Sequence, residues 1–452
     1  MHTLTTTPSP SLEAYRLRRQ RVAERMADDS ALLLHGGLLR TRSNDTEFRF
    51  RPDSNFHYLS GLREPGALLL LRPGHDPEFT VFVRPRDPQA EIWTGRRIGP
   101  EGAIERYGAD AAYPIDEAST HLRTLLDGVS TIYLPFGHDA GLEAMVHRTI
   151  DFLRKRNRYG EQAPEQLVDA RALLGEDRLV KDAAALASLR RAVDVSARGH
   201  LAAIRATRPG LYEHELEALL EFHFRRLGSS GPGYGSIVGA GDNATILHYV
   251  DNDCRLEAGD LLLIDAGAEW DYFTGDITRT FPISGRFSPA QRDLYAIVLA
   301  ANEAGIAASR VGSTIDGIYR VCLRTLLQGL RDLRLVDGEV DALLEDESTY
   351  SRYTCHRHSH WLGADVHDAG HYCLRRTPRP LKPGYVITVE PGLYIAKDDE
   401  RAPPELRGVG IRVEDDVLIR DVGPEILSAA VPKAVAELEA LIGSEPFPGR
   451  DG

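Results

Sequence analysis

Four carboxylates interrupt apolar, strand-like runs in the second half of this chain, and nothing else in it constrains the fold as tightly. Asp265 closes the run DLLLID, Asp276 opens DITRTF, Glu390 breaks YVITVEPG and Glu414 breaks GIRVEDDVLI. A carboxylate taken out of water costs several kcal/mol unless a cation or donors compensate it. For any one of them a solvated strand end or an ion pair suffices. For all four, with Arg412 as the one obvious neighbouring cation, a bound metal is the better account. Gly267 and Gly275 lie between the first two, so Asp265 and Asp276 read as facing residues on adjacent strands joined by a loop.

Histidines supply the other donors. The segment CHRHSHWLGADVHD carries His356, His358 and His360, which share a face if the backbone is extended, and then His367; His248 stands apart in ATILHYV. One imidazole with four carboxylates suits Mn²⁺ or Co²⁺ better than a structural zinc, which prefers Cys and His. Two bridging carboxylates would hold two ions about 3.5–4 Å apart, which lower the pKa of a shared water and polarise a carbonyl. The implied chemistry is metal-assisted hydrolysis. An aspartic-protease dyad needs two carboxylates and no histidine, and no G-x-S-x-G elbow is present for a serine hydrolase.

At 452 residues the chain has room for two or three domains. Its net charge of −13 argues against nucleic acid as a partner. No apolar run approaches the roughly 18 residues needed to span a bilayer, and the N-terminus lacks a secretory core, so no membrane association is expected. Cys254, Cys322, Cys355 and Cys373 show no CxxC spacing and read as reduced thiols of a cytoplasmic protein. Strand-like runs at 30–36, 67–71, 79–83 and 131–135, with a helix over 139–156, predict a smaller α/β domain over residues 1–176. Residues 177–452 predict an α+β domain. Its helices fall near 181–206, 212–227, 288–309 and 314–330, the third started by Ser288, Pro289 and Gln291 as a capping box. Between and after them lie β-rich stretches at 260–283, 358–370, 385–395 and 408–420, which predict a curved antiparallel sheet.

The order Asp265, Asp276, His360, Glu390, Glu414 resembles the ligand set of the pita-bread-fold metallopeptidases. The surrounding text GDITRTFP, SHWLGADVHD, TVEPGLY and GIRVEDD resembles the Xaa-Pro aminopeptidases (aminopeptidase P) in particular, and RPDSNFHYLSG and AEIWTGRR extend the likeness into the first domain. The resemblance implies two divalent ions per chain, manganese first, bridged by Asp276 and Glu414, with Asp265 completing one shell and His360 and Glu390 the other. It gives Glu390 a second task, carrying a proton to the departing prolyl nitrogen. It gives His248 and His367 contacts to the substrate and the reacting carbonyl, and makes His356, Tyr394 and Arg412 the wall of a proline pocket. It implies peptide substrates with proline second, and a homodimer or homotetramer in which Trp93 reaches a neighbour's cleft. Two rivals stand beside this reading: a prolidase restricted to dipeptides, for which Arg412 or Arg376 would clamp the proline carboxylate, and a metal-free creatinase-like protein, against which the complete ligand set argues. One departure concerns His356-Arg357-His358, where relatives usually carry Gly and then a small or apolar residue. His358 is expected on the His360 side, tuning selectivity without binding metal.

Overall fold

A computed structural model describes residues 11–449, which form two units, one ending at Arg178 and one beginning at Leu179. The first unit is built on a six-stranded mixed sheet. Its strands run in the order Ala111–Pro114, Phe79–Val83, Leu68–Leu71, Ser30–His35, Thr131–Leu134, Gln166–Asp169. Every residue of Leu68–Leu71 is buried, as expected of a strand covered on both faces. Alternate side chains feed two cores, Leu69 and Leu71 one and Leu68 and Leu70 the other. Several helices between these strands gave little hydrophobic periodicity in the sequence. They are marked by their ends: Asp53 caps Ser54–Ser60, which stops at Gly61 with φ 71°, and Asp87 caps Pro88–Thr94.

In the second unit the four predicted helices are present as Ala183–Ala206, Glu213–Arg226, Pro289–Ala308 and Ile315–Asp332. Ser288 and Gln291 make the reciprocal capping box that their spacing predicts. The helices pack as two pairs, the first with the second and the third with the fourth. The strand Leu261–Asp265 lies between Ile237–Ala240 and Thr278–Pro282, antiparallel to both, with Asp265 opposite Thr278. Asp276 is therefore just beyond the paired stretch. Gly267 allows the crossing there, because a Cβ on it would lie 1.7 Å from the Gly275 carbonyl oxygen.

The other two carboxylates stand where a ladder is interrupted. Val386–Val389 pairs with Asp415–Leu418, and Gly392–Ile395 pairs with Val409–Arg412. Glu390 and Glu414 fall between these pairings, free of the pleat that would alternate them away from one another. The Glu414 amide instead donates to the Thr278 carbonyl, and the Glu390 amide to that of His358.

Segment 358–370 departs from its expected β character. It makes one isolated bridge, Trp361 with Ile387, flanked by backbone bonds that join His358, His360 and Leu362 to Glu390, Thr388 and Val386, and bends beyond Leu362. The His360 amide donates to the Thr388 hydroxyl rather than to a carbonyl, which breaks the regular pattern. The expectation that His356, His358 and His360 share one face fails for the same reason, since a bent backbone does not alternate side chains. His358 is buried against Thr354 and the Tyr319 and His356 rings.

Candidate active site

Asp265, Asp276, His360, Glu390 and Glu414 converge on one cavity of about 490 Å³, which His248, His356, His367, Arg357 and Arg412 also line. Asp276, His360 and Glu414 can each offer a ligand atom within 4.8 Å of the others. His360 Nε2 lies 3.3 Å from Asp276 Oδ2 and 3.4 Å from Glu390 Oε1. Its Nδ1–H donates to the Trp361 carbonyl at 3.0 Å, which leaves Nε2 as the atom facing the carboxylates. That is the tautomer and orientation in which metal-ligating imidazoles are usually held.

Charge balance supports the same conclusion. Burial, and then the charges of neighbouring carboxylates, push the carboxyls of Glu414 and Asp276 up and that of Glu390 to about 7. Burial opposes a charge on His360, yet the Asp276 hydrogen bond and the Glu390 and Asp276 charges raise its imidazole to about 9. The group therefore needs more positive charge than the side chains bring. Arg412 directly pairs with only one of the four carboxylates: Nη2 donates to Asp265 Oδ2 at 2.7 Å, while Nη1 donates to the Tyr394 hydroxyl at 2.9 Å and Nε to Thr278 Oγ1 at 3.2 Å. Four carboxylates and a correctly presented imidazole fit divalent cations by donor type, burial and charge.

The rest of the cavity divides by polarity. Burial, reinforced by Arg412, lowers His356 to about 4, so the ring is neutral. Its Nδ1–H donates to the Arg357 carbonyl at 2.8 Å, and its Nε2 accepts from the Tyr394 hydroxyl at 2.9 Å. The chain Arg412–Tyr394–His356 thus locks three residues of the expected proline pocket in one arrangement. His248 and His367 are exposed at the cavity, with the His367 ring 4.5 Å from that of His360. The loop carrying His248 is anchored by buried Glu213, which accepts from the Ala240 and Cys254 amides, Asn243 and the Tyr249 hydroxyl. Gly410 lets that loop lie against Val409–Arg412, since a Cβ there would be 2.0 Å from the Ala244 carbonyl oxygen. Trp93, expected to reach another subunit, is 88% exposed on Pro88–Thr94. Arg376 is absent from the cavity lining and occupies an exposed hairpin turn at φ 69°.

Two family descriptions match the chain: Metallopeptidase family M24 over residues 187–421, and Aminopeptidase P, N-terminal domain, over residues 15–133. The chain belongs to metallopeptidase family M24. It is 42% identical to the Xaa-Pro aminopeptidase of Escherichia coli strain K12, covering 96% of this chain and 98% of that one. Aminopeptidase PepP of Pseudomonas aeruginosa superposes with a TM-score of 0.94 at 42% identity, over 96% of this chain and 98% of that one. The E. coli aminopeptidase P bound to the inhibitor Pro-Leu gives 0.92 at 41% identity, with the same coverage. The expected architecture, a pita-bread catalytic unit preceded by a smaller α/β unit, is therefore that of this chain.

Within this M24 site, several contributors escaped the sequence reading. The Tyr234 hydroxyl lies 2.6 Å from both Asp265 Oδ1 and Asp276 Oδ1. Thr278 Oγ1 donates to Glu414 Oε2 at 2.6 Å. Behind the cavity carboxylates, Asn302 Nδ2 donates to the carbonyls of Val389 and Val413, which directly precede Glu390 and Glu414. Lys433 Nζ joins Asn302 Oδ1 to Asp415, which also accepts from buried Arg279. The one signal available for Tyr234 was a tyrosine in a glycine-rich stretch, GPGYG, which specifies no partner.

Proposed function

We propose that the cavity releases the first residue from peptides that begin Xaa-Pro, with two divalent ions held by Asp265, Asp276, His360, Glu390 and Glu414. What carries the reading is the convergence of three buried carboxylates and the half-buried Glu390 with an imidazole oriented by Trp361, beside a wall that includes Tyr394 and the neutral His356. When bound, the ions supply an activated water and polarise the scissile carbonyl. Asp276 and Glu414 would serve both ions, and Tyr234 and Thr278, hydrogen-bonded to them, would orient them. Manganese is the preferred ion because oxygen donors dominate the set.

The acidic interior receives the free amine of the substrate. An Xaa-Pro bond has no amide N–H, so the enzyme recognises the ring by shape, and Tyr394, neutral His356 and the stem of Arg412 form that wall. Glu390 takes a proton at its carboxylate and passes it to the prolyl nitrogen as the bond breaks. His248 and His367, exposed at the mouth, hydrogen-bond the peptide and its carbonyl oxygen. His358 acts indirectly, holding His356 from behind. With Arg412 engaged by Asp265 and Arg376 off the cavity, neither residue is placed to clamp a dipeptide carboxylate as in a prolidase. The free thiols Cys254, Cys322, Cys355 and Cys373 support a cytoplasmic setting, and exposed Trp93 with Ile92 supports a homodimer or homotetramer. A domain boundary near residue 177 accords with the two units.

The deciding experiment compares Ala-Pro, Ala-Pro-Ala and N-acetyl-Ala-Pro-Ala with Mn²⁺-loaded protein. Cleavage of the tripeptide with none of the acetylated peptide is expected. Dipeptide cleavage alone would replace the reading with a prolidase, and cleavage of the acetylated peptide would remove it.

A further inference from the structure

The cavity is lined by groups of both charges. Its interior holds Asp265, Asp276, Glu390 and Glu414, while two arginines, Arg357 and Arg412, are among its lining residues. Arg412 is buried and its three kinds of donor are taken by Asp265, Tyr394 and Thr278. Arg357 differs in each respect. Its side chain is 69% exposed, and among the described residues it pairs with the exposed Asp316, with Nη1 to Oδ1 at 3.4 Å. Its guanidinium carbon rests 4.5 Å from the centre of the Tyr319 ring, which fixes its direction without consuming donors. The backbone of the same residue accepts the His356 Nδ1–H, so Arg357 is tied to the wall that receives the proline ring.

We propose that Arg357 is a specificity-determining residue that binds the C-terminal carboxylate of short substrates, making the site favour Xaa-Pro peptides that end one residue after proline over longer or amidated ones. This rests on the Xaa-Pro reading above. A short peptide carries an ammonium at one end and a carboxylate at the other. The acidic interior takes the first, and a guanidinium at the rim of the proline wall takes the second, through the planar fork that suits carboxylates. In a longer chain the carboxylate lies beyond reach and the contact is lost. The pair is solvated, so its effect is modest and falls with salt.

The test uses the Mn²⁺-loaded full chain with Ala-Pro-Ala and its C-terminal amide. The acid should be preferred about fivefold at low salt, chiefly through KM, and added salt should erode that preference. Arg357→Gln should bring the acid-to-amide ratio to about one, and Arg357→Lys should restore part of it. Equal KM values for acid and amide in the parent protein, or a preference that survives Arg357→Gln, would overturn the assignment and leave the Xaa-Pro reading intact. Failure of the parent to cleave either tripeptide would overturn both.

Discussion

Leu68–Leu71 and Leu261–Asp265 begin with the same composition and end in different chemistry. Both are buried throughout and both are paired on each side in a sheet. The first is leucine to its end and feeds two apolar cores. The second closes on a carboxylate held between Tyr234 and Arg412. One unit has spent its strand ends on packing, and the other has placed charges at strand ends and ladder breaks. A buried charge is costly, so such a site persists where a compensating cation gives the cost a use. The second unit should accordingly respond to metal, acid and single-atom changes that leave the first unmoved.

The largest expected effect is Glu390→Gln. It preserves shape while removing the basic oxygen, so kcat should fall by about a thousandfold or more. The circular dichroism spectrum and the exchange protection of Leu68–Leu71 should be those of the parent. A variant retaining a tenth of the activity would refute the proton-transfer role of Glu390.

Chelation comes next. Ions that bind only the folded state at a hundred times their Kd add about 3 kcal/mol of stability. Removing them should deprotect Leu261–Asp265 and Val386–Val389 in hydrogen exchange while Leu68–Leu71 stays protected. An equal response in both strands, or in neither, would dissolve the contrast between the units.

The third effect is on pH. His200 is wholly buried and donates from Nε2 to the Ala266 carbonyl at 2.9 Å. Burial lowers it to about 4, with Arg279 also disfavouring its charge, although the Ala266 bond and Asp265 favour it. An unfolded histidine takes a proton near pH 6.5 and the folded one does not. The unfolded state therefore binds more protons between those values. Stability is fully present above pH 6.5 and is lost as pH falls toward 4, by about 3 kcal/mol. His200→Gln keeps a donor for Ala266 and should flatten that part of the Tm–pH curve, measured in chelator so that metal release does not contribute. A variant that parallels the parent down to pH 4 would contradict the assignment.

The smallest effect on stability should come from Trp93→Ala. An exposed side chain contributes within about 0.5 kcal/mol to the fold, so Tm should hardly change. Light scattering should nevertheless show weaker association. Unchanged mass at the parent's concentrations would exclude Trp93 from the interface.

The legible parts of the molecule are those written in short stretches of sequence. The capping box at Ser288 and Gln291, the apolar runs of the first unit and the four helices of the second depend on residues a few positions apart, and they fall where local rules put them. The four carboxylates that line the cavity were legible too, because a carboxylate inside an apolar run violates a local pattern. The short helices of the first unit were not, since Ser54–Ser60 and Pro88–Thr94 are too brief to show a periodicity and are marked mainly by caps.

What the sequence determined by itself is therefore the set of polar residues set in apolar runs and most of the elements that carry them. Only the tertiary structure decided which donors act together. His358 and His360 are two residues apart, yet one is sealed behind His356 and the other faces the carboxylates, because the backbone bends at His356 and His358 and the Thr388 hydroxyl takes the His360 amide. Arg412 and Arg357 are both cavity arginines, and their freedom differs because Asp265, from a strand far away in the chain, occupies the first. Tyr234 joins the site through carboxylates 31 and 42 positions further along. Such pairings are settled by which distant strands meet and where their ladders break, and a pattern read over neighbouring residues contains no term for either.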